Sequence, residues 1–290
     1  MKAKLECIPC IFNQAFRAGS AATKNKSLIR KILNKAGEEV KNLDLNLTPP
    51  EAALPIYRLV AEVTGNENPY KDVKIEHIKR ALEIFPLMKE RVNSVDDKLK
   101  EAVKIAIVGN AIDLGSTLEN IDIKKEFENV ENGNFFMDSF GEFLNLIDNS
   151  NNILYLSDNA GETVFDRPLI DEIKRSGKNL IYAVKEKPII NDAVYEDAIL
   201  SGIDVNIIST GSDIAGTVLS SCSKEFLRYF KSVDLIIAKG QGNYETLSDI
   251  KAPIFFLFKV KCRPIADDTG FSINSMLLLK SKNFSKYADF

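Results

Sequence analysis

Three side chains with hard oxygen donors stand out in this chain. Asp158 and Asn159 lie in Ser157-Asp158-Asn159-Ala160-Gly161-Glu162, and Asp192 ends Lys187-Pro188-Ile189-Ile190-Asn191-Asp192. Carboxylate and amide oxygens of this kind hold Mg2+ or Mn2+. Cations follow further along, at Lys239, Lys259, Lys261 and Arg263, where they could neutralise an anion. Thr210-Gly211-Ser212, ahead of a helix-like segment, has the small hydroxyls and backbone amides of an anion cradle. A divalent cation facing ammonium groups is the composition of a phosphoryl site.

The histidine count narrows the chemistry. His77 is the single histidine, so no mechanism can combine a histidine base with histidine ligands. It sits in Lys74-Ile75-Glu76-His77-Ile78-Lys79, a charged helix face, and is expected to be solvated. Carboxylates, amides, lysines and a metal must then carry any catalysis.

The elements that position these residues follow from periodicity. Residues 1–150 read as mainly helical, with apolar groups at helical spacing in Cys10–Ala18 and in Asn25–Val40. Pro49-Pro50-Glu51 starts a helix that reaches Gly65, and Pro86 is expected to kink or break a later one. Asn149-Ser150-Asn151-Asn152 is turn-prone and marks a boundary. Over 151–290 short apolar runs alternate with helical segments. Strands are predicted at Ile153–Leu156, Leu180–Val184, Asp204–Ile208, Leu235–Ala238 and Ile254–Phe258, with helices near 164–176, 191–201, 213–231 and 243–249. Such alternation predicts a parallel sheet with helices on its faces. Ligands bind such sheets outside the carboxyl ends of the strands, where the chemistry-bearing residues above fall.

Each piece also has a plain structural reading. Asp158-Asn159 and Asn191-Asp192 are the residue types that form turns and cap helices. Lysines flanking apolar strands commonly reach out to solvent. It is their convergence on one edge of the sheet that favours a site. Other motifs fail: no phosphate-binding G-x-x-x-x-G-K-[ST] and no G-x-S-x-G elbow is present, and Gly240-Gln241-Gly242 is a lone G-x-G.

Composition sets the class. The chain has 290 residues, 45% hydrophobic and 27% charged, an ordinary globular balance. A net charge of −3 argues against nucleic acid as a partner. No apolar run suggests a membrane span, and Met1–Glu6 carries no apolar signal core, so a cytoplasmic location is expected. Cys7, Cys10, Cys222 and Cys262 are expected to be reduced thiols. Buried packing is the default for them. A zinc site would need Cys222 and Cys262 to meet Cys7-Ile8-Pro9-Cys10, and a redox pair is a further alternative.

Taken in order, these markers resemble the DUF89 family of damage-control phosphatases, the ARMT1-like superfamily. They are Cys7-Ile8-Pro9-Cys10, Gly109-Asn110-Ala111-Ile112-Asp113, Ser157 to Glu162, Lys187 to Asp192, Lys239-Gly240-Gln241-Gly242-Asn243-Tyr244-Glu245 and Lys261-Cys262. The Cys-x-x-Cys start resembles the prokaryotic-type branch. The resemblance implies a helical N-terminal domain packed on a Rossmann-like three-layer αβα domain with a mainly parallel sheet. It implies Mn2+, Co2+, Ni2+ or Mg2+ held by Asp158, Asn159 and Asp192, and hydrolysis of phosphate monoesters such as sugar phosphates and damaged phosphometabolites. Asn68-Pro69-Tyr70 departs from the Asp-Pro-Tyr expected of relatives.

On that footing Lys261 and Lys239 would stabilise charge on the phosphoryl oxygens. Glu162 would orient water, and the nucleophile is either water or the Asp158 carboxylate. Asn110 and Asp113 would reach the cleft from the helical side and contact substrate, with Thr210, Gly211, Ser212, Lys239, Asn243 and Glu245 completing the substrate-binding set. Two other readings remain: a non-catalytic binder of phosphometabolites or nucleotides, and an S-adenosylmethionine-dependent carboxyl methyltransferase. The first has little use for a full Asp/Asn/Asp set. The second lacks a glycine-rich loop after the first strand.

Overall fold

Helix ends in the first part of the chain are written into the sequence. The computed structural model describes residues 1–111 and 135–286. Helices α1 (Cys7–Ala22), α2 (Lys26–Lys41), α3 (Pro49–Thr64), α4 (Lys71–Asn93) and α5 (Lys98–Ala111) come first. Thr48 and Glu51 form a reciprocal capping box at the start of α3, and Gly65 ends it in the left-handed conformation at φ +69°. Pro86 does not break α4, which continues to Asn93. Helices α1–α3 pack around their own apolar cluster, including Ala15, Ile32, Ile56 and Val60.

Next come β1 (Phe135–Phe136) and α6 (Phe140–Asn149), then β2 (Asn152–Leu156), α7 (Thr163–Arg175), β3 (Asn179–Val184), α8 (Tyr195–Leu200) and β4 (Asn206–Ser209). The chain continues through α9 (Lys224–Ser232), β5 (Leu235–Lys239), α10 (Gly240–Leu247), β6 (Ile254–Lys259), α11 (Arg263–Thr269) and β7 (Met276–Lys280). Among the described residues these strands form one seven-stranded sheet in the order β1-β7-β6-β5-β2-β3-β4, and only the β6–β7 pairing is antiparallel.

The inner strands were legible as continuous apolar runs because both their faces are covered. Alternate residues divide between two cores. Ile153, Tyr155, Tyr182, Ile237 and Phe255 face a layer made by α4, α5, α6 and α7. Leu154, Leu156, Ile236, Phe256 and Phe258 face Phe226, Phe230, Tyr244, Leu247 and Ile265 of α9, α10 and α11. The first helices are followed by an α/β region, as expected. No helix among the described residues is long and apolar enough to cross a membrane.

Strand order locates the ligand edge. From β2 the chain steps outward through β3 and β4, then returns to β5 on the other side of β2. The carboxyl ends of β2 and β5 therefore flank the switch point at which open α/β sheets bind ligands.

Several expectations need correction. The helix expected over 213–231 is instead irregular chain, a single 3-10 turn at Leu219–Ser221, and α9. The segment 191–201 holds only the short α8. β7 and α11 fall outside the expected pattern, since one antiparallel strand after a short polar helix breaks the alternation. His77 is not solvated: it is 6% exposed, on the same buried face of α4 as Lys74, Ile78 and Ala81.

Candidate active site

Backbone bonds bring the donors together. The chain leaving β2 pairs with the chain after β3: Ala193 N donates to Asp158 O at 2.8 Å and Ala160 N to Asn191 O at 2.8 Å. An isolated antiparallel bridge joins Asn159 to Asp192. Asp158, Asn159 and Asp192 are thus at one place, although 33 residues of sequence separate Asn159 from Asp192. Asp158 Oδ2 accepts from Asn110 Nδ2 at 2.8 Å and from Asn159 Nδ2 at 3.1 Å. Gly240 at the start of α10 lies against the same carboxylate.

Asp192 is fixed from two sides. Lys74 on α4 donates to its carbonyl oxygen at 3.1 Å and pairs with Asp197 at 2.5 Å. Lys185 at the end of β3 approaches Asp192 Oδ2 at 3.8 Å and donates to the carbonyl of Gly216. Asp192 Oδ2 itself is buried without a hydrogen-bond partner.

Burial dominates the electrostatics of the two acids. Burial pushes the Asp158 carboxyl well above the usual range, Glu162 and Asp192 raise it further, and Lys261 and Lys239 oppose this. Burial raises Asp192 to about 6, against the pull of Lys185 and Lys74. Buried acids that favour their protons, with an oxygen left without a hydrogen bond, suit a cation. The donor set fits a divalent ion. Among the described residues no three His, Cys, Asp or Glu side chains converge to hold one by themselves. The amide oxygen of Asn159, with water, would have to complete the shell.

Beneath Asp158 lies a second layer of polar groups. Glu162 Oε1 accepts from Asn159 at 2.6 Å and Asn110 at 2.9 Å, and Oε2 faces Lys239 Nζ at 3.5 Å. Asn110 also accepts from Lys259 N at 3.0 Å, so it ties α5 to the end of β6. Lys239 was expected on the phosphate. It is instead 0% exposed and donates to Asp166 at 2.6 Å. Sequence reasoning passed over Asp166, Lys74 and Lys185, because a buried charge looks like a surface charge until its partner is placed.

At the rim, Lys261 is exposed, and its backbone N–H is held by Gln241 Oε1 at 3.0 Å. Gln241 also donates to Glu245 at 2.8 Å. Burial raises Glu245 to about 7, opposed by that hydrogen bond and by nearby cations including Lys261. Burial pushes the phenol of Tyr57 on α3 up, and Tyr70, Asp192, Cys10 and Glu245 add to the shift. The Oδ1 of Asn68 is buried without a partner.

Other expected contacts are not made. No helix begins after Thr210-Gly211-Ser212, so the helix N-terminus expected to cradle an anion is absent. Ser212 N bonds Thr210 Oγ1 at 3.3 Å, and Ile214 N bonds Ser212 Oγ at 3.2 Å, which shapes a turn. Gly211 is held there by φ +74°. Asn243 spends its amide on Ser157 O at 3.0 Å and Lys239 O at 2.7 Å, and it accepts from Thr217 at 2.7 Å. Asp113 lies outside the described residues. The cysteines are free thiols, with Cys7 buried and Cys10 exposed. Cys262 feels Cys7 and Glu245, whereas Cys222 feels Lys185, so Cys222 does not complete a ligand set with the N-terminal pair.

Residues 3–277 match the family model described as the damage-control phosphatase ARMT1-like domain. A damage-control phosphatase from Pyrococcus horikoshii is 34% identical, over 97% of this chain and 99% of its own length. Another, from Archaeoglobus fulgidus, is 34% identical over 96% of this chain and 98% of its own. A protein of Methanocaldococcus jannaschii is 38% identical over 97% and 96%. The crystal structure of the DUF89 family protein from Pyrococcus horikoshii superposes with a TM-score of 0.89, at 34% identity over 97% of this chain and 100% of that one.

Proposed function

The chain belongs to the damage-control phosphatase ARMT1-like family, and from that premise we propose that it hydrolyses phosphate monoesters of small metabolites. The reaction uses a divalent cation, Mn2+, Co2+, Ni2+ or Mg2+, at the carboxyl ends of β2 and β3. The observation that carries this reading is Asp192 Oδ2, buried without a hydrogen bond beside Asp158 and Asn159.

Asp158, Asn159 and Asp192 hold the cation. When bound, it supplies the positive charge that polarises a phosphoryl oxygen. Lys261, exposed at the same rim, pairs with the remaining phosphoryl oxygens and stabilises the charge that builds on them. Because Asp158 is assigned to the cation, attack is assigned to water, which Glu162 orients. Gln241 and Glu245, hydrogen-bonded to each other at this rim, are placed to face the leaving group. Sugar phosphates and damaged phosphometabolites are the substrate class.

The test is release of p-nitrophenol from p-nitrophenyl phosphate, followed by a panel of sugar phosphates and phosphorylated cofactors. Turnover is expected with Mn2+, Co2+ or Ni2+ and is expected to vanish with chelator. Full cation-dependent activity in Asp158→Ala would refute the assignment. Cation binding without turnover on any monoester would leave a binding protein instead.

A further inference from the structure

Two groups with no task in that scheme lie directly under it. Asp166 on α7 and Lys239 at the end of β5 are each 0% exposed, inside a core of otherwise apolar side chains. Asp166 Oδ1 accepts from Lys239 at 2.6 Å and from Tyr155 OH at 2.8 Å, and Oδ2 accepts from Tyr182 OH at 2.7 Å. The tyrosines face each other in the β2–β3 register, with ring centroids 5.3 Å apart. Asp166 is therefore held by three donors from three different strands.

From Asp166 the contacts run upward without a gap. The Lys239 ammonium faces Glu162 Oε2 at 3.5 Å. The other Glu162 oxygen takes the amides of Asn159 at 2.6 Å and Asn110 at 2.9 Å. Those same two amides bond Asp158 Oδ2. A buried ion pair is weak as a stabilising device, because desolvation offsets most of the attraction and apolar side chains of similar volume often serve as well. Stability alone gives little reason to place an aspartate, a lysine and two phenols here. Geometry gives a better one. Glu162 has one oxygen bound by amides, and without a cation on the second oxygen the carboxylate can rotate.

We propose that Asp166 and Lys239 are positioning residues: Asp166, clamped by Tyr155 and Tyr182, fixes the Lys239 ammonium, which locks the Glu162 carboxylate in one orientation toward the attacking water. Lys239 does not touch phosphate. The kinetic consequence rests on the phosphatase reading; the geometric one does not.

Lys239→Met removes the cation at nearly constant length. With p-nitrophenyl phosphate and Mn2+, kcat is expected to fall about 100-fold, the scale on which small misplacements act. KM is expected to stay within about twofold, since the lysine makes no substrate contact. A raised KM with kcat retained would mean that Lys239 binds phosphate, and would overturn the proposal. Unchanged kinetics would overturn it as well. Should the variant not fold, the Tyr155→Phe/Tyr182→Phe pair leaves every charge in place and frees Asp166. It is expected to lower kcat about tenfold at constant KM, and wild-type kcat in it overturns the proposal. A crystal structure of either variant separates this inference from the phosphatase reading. Glu162 is expected to have turned off Asn110 and Asn159; an unmoved Glu162 refutes the positioning role even if the wild type hydrolyses nothing.

Discussion

Asp158 and Gly240 occupy each other's space: a Cβ at position 240 would lie 1.9 Å from Asp158 Oδ2. Gly240 also holds φ +80°, a region that side chains resist. The glycine thus lets the first turn of α10 close onto the carboxylate at the end of β2. Both demands fall on one residue at the switch point of the sheet.

Gly240→Ala should therefore displace Asp158 and strain the turn. The expected cost is about 1–3 kcal/mol in thermal or urea unfolding, from the backbone conformation plus the clash. Activity should suffer more than stability, with cation-dependent p-nitrophenyl phosphate turnover down at least about 100-fold. A stable variant with wild-type turnover would show that the Asp158 position is not critical.

Asn110 separates two carboxylates by bonding both, at 2.8 Å to Asp158 and 2.9 Å to Glu162. Asn110→Ala leaves two buried acids facing each other with one donor fewer. Unfolding free energy should fall by about 1–3 kcal/mol and kcat by roughly 100-fold. Asn110→Asp, which adds a third charge at the same place, should be worse in both measurements. An aspartate variant equal to wild type would contradict the role assigned here.

The pH dependence of stability follows from Asp192. Its folded pKa is raised to about 6, above the roughly 3.9 of an unfolded aspartate. Between those values the folded chain keeps a proton that the unfolded chain has lost. The stability of the cation-free protein should therefore fall as pH rises from about 4 to about 6, and this contribution is constant above that. Glu245, raised to about 7, acts in the same direction to a higher pH. A divalent cation held as proposed would bind the ionised carboxylates, so its stabilisation should be larger at pH 7 than at pH 5. Melting curves with chelator and with Mn2+ at both pH values measure this. Asp192→Asn should remove most of the cation response while leaving the Glu245 slope. Equal Mn2+ shifts at the two pH values would rule out Asp192 as a ligand.

Inner strands and their carboxyl-end acids could be read from residues alone for one physical reason. A strand buried on both faces must be an unbroken apolar run, so the first polar residues after it, such as Asp158 and Asn159, mark its end. Lys239 obeyed the same rule, ending Leu235–Ala238, and was misplaced by it. Its partner Asp166 comes from α7, 73 residues away, and no local pattern shows that the two meet. His77 and Lys74 failed in the same way: α4 carries charges on several faces, and only packing against the sheet layer decides which face is buried. Thr210–Ser212 failed for a local reason, since Gly216 at φ +68° lies within the expected helix and packs where a Cβ would meet the Gly242 carbonyl at 2.3 Å.

Lys74 ties α4 to the loop that carries Asp192. Lys74 is buried, pairs with Asp197 at 2.5 Å, and reaches the carbonyl of Asp192 at 3.1 Å. Asp197 also accepts from Val194 N at 3.0 Å, so one carboxylate caps α8 and anchors the lysine. Removing one member of a buried pair strands the other charge, at a cost of about 3–5 kcal/mol. Lys74→Met should therefore lower the unfolding free energy by that amount in urea titrations. Asp197→Asn keeps the cap and removes the charge, so the double variant Lys74→Met/Asp197→Asn should recover much of the loss. Mn2+ affinity should not recover with it, because the Asp192 carbonyl still lacks its donor and the loop carrying Asp192 is still loosened. Calorimetric titration of Mn2+ into the double variant decides the matter: wild-type affinity there would reduce Lys74 to a stabilising contact with no bearing on the site.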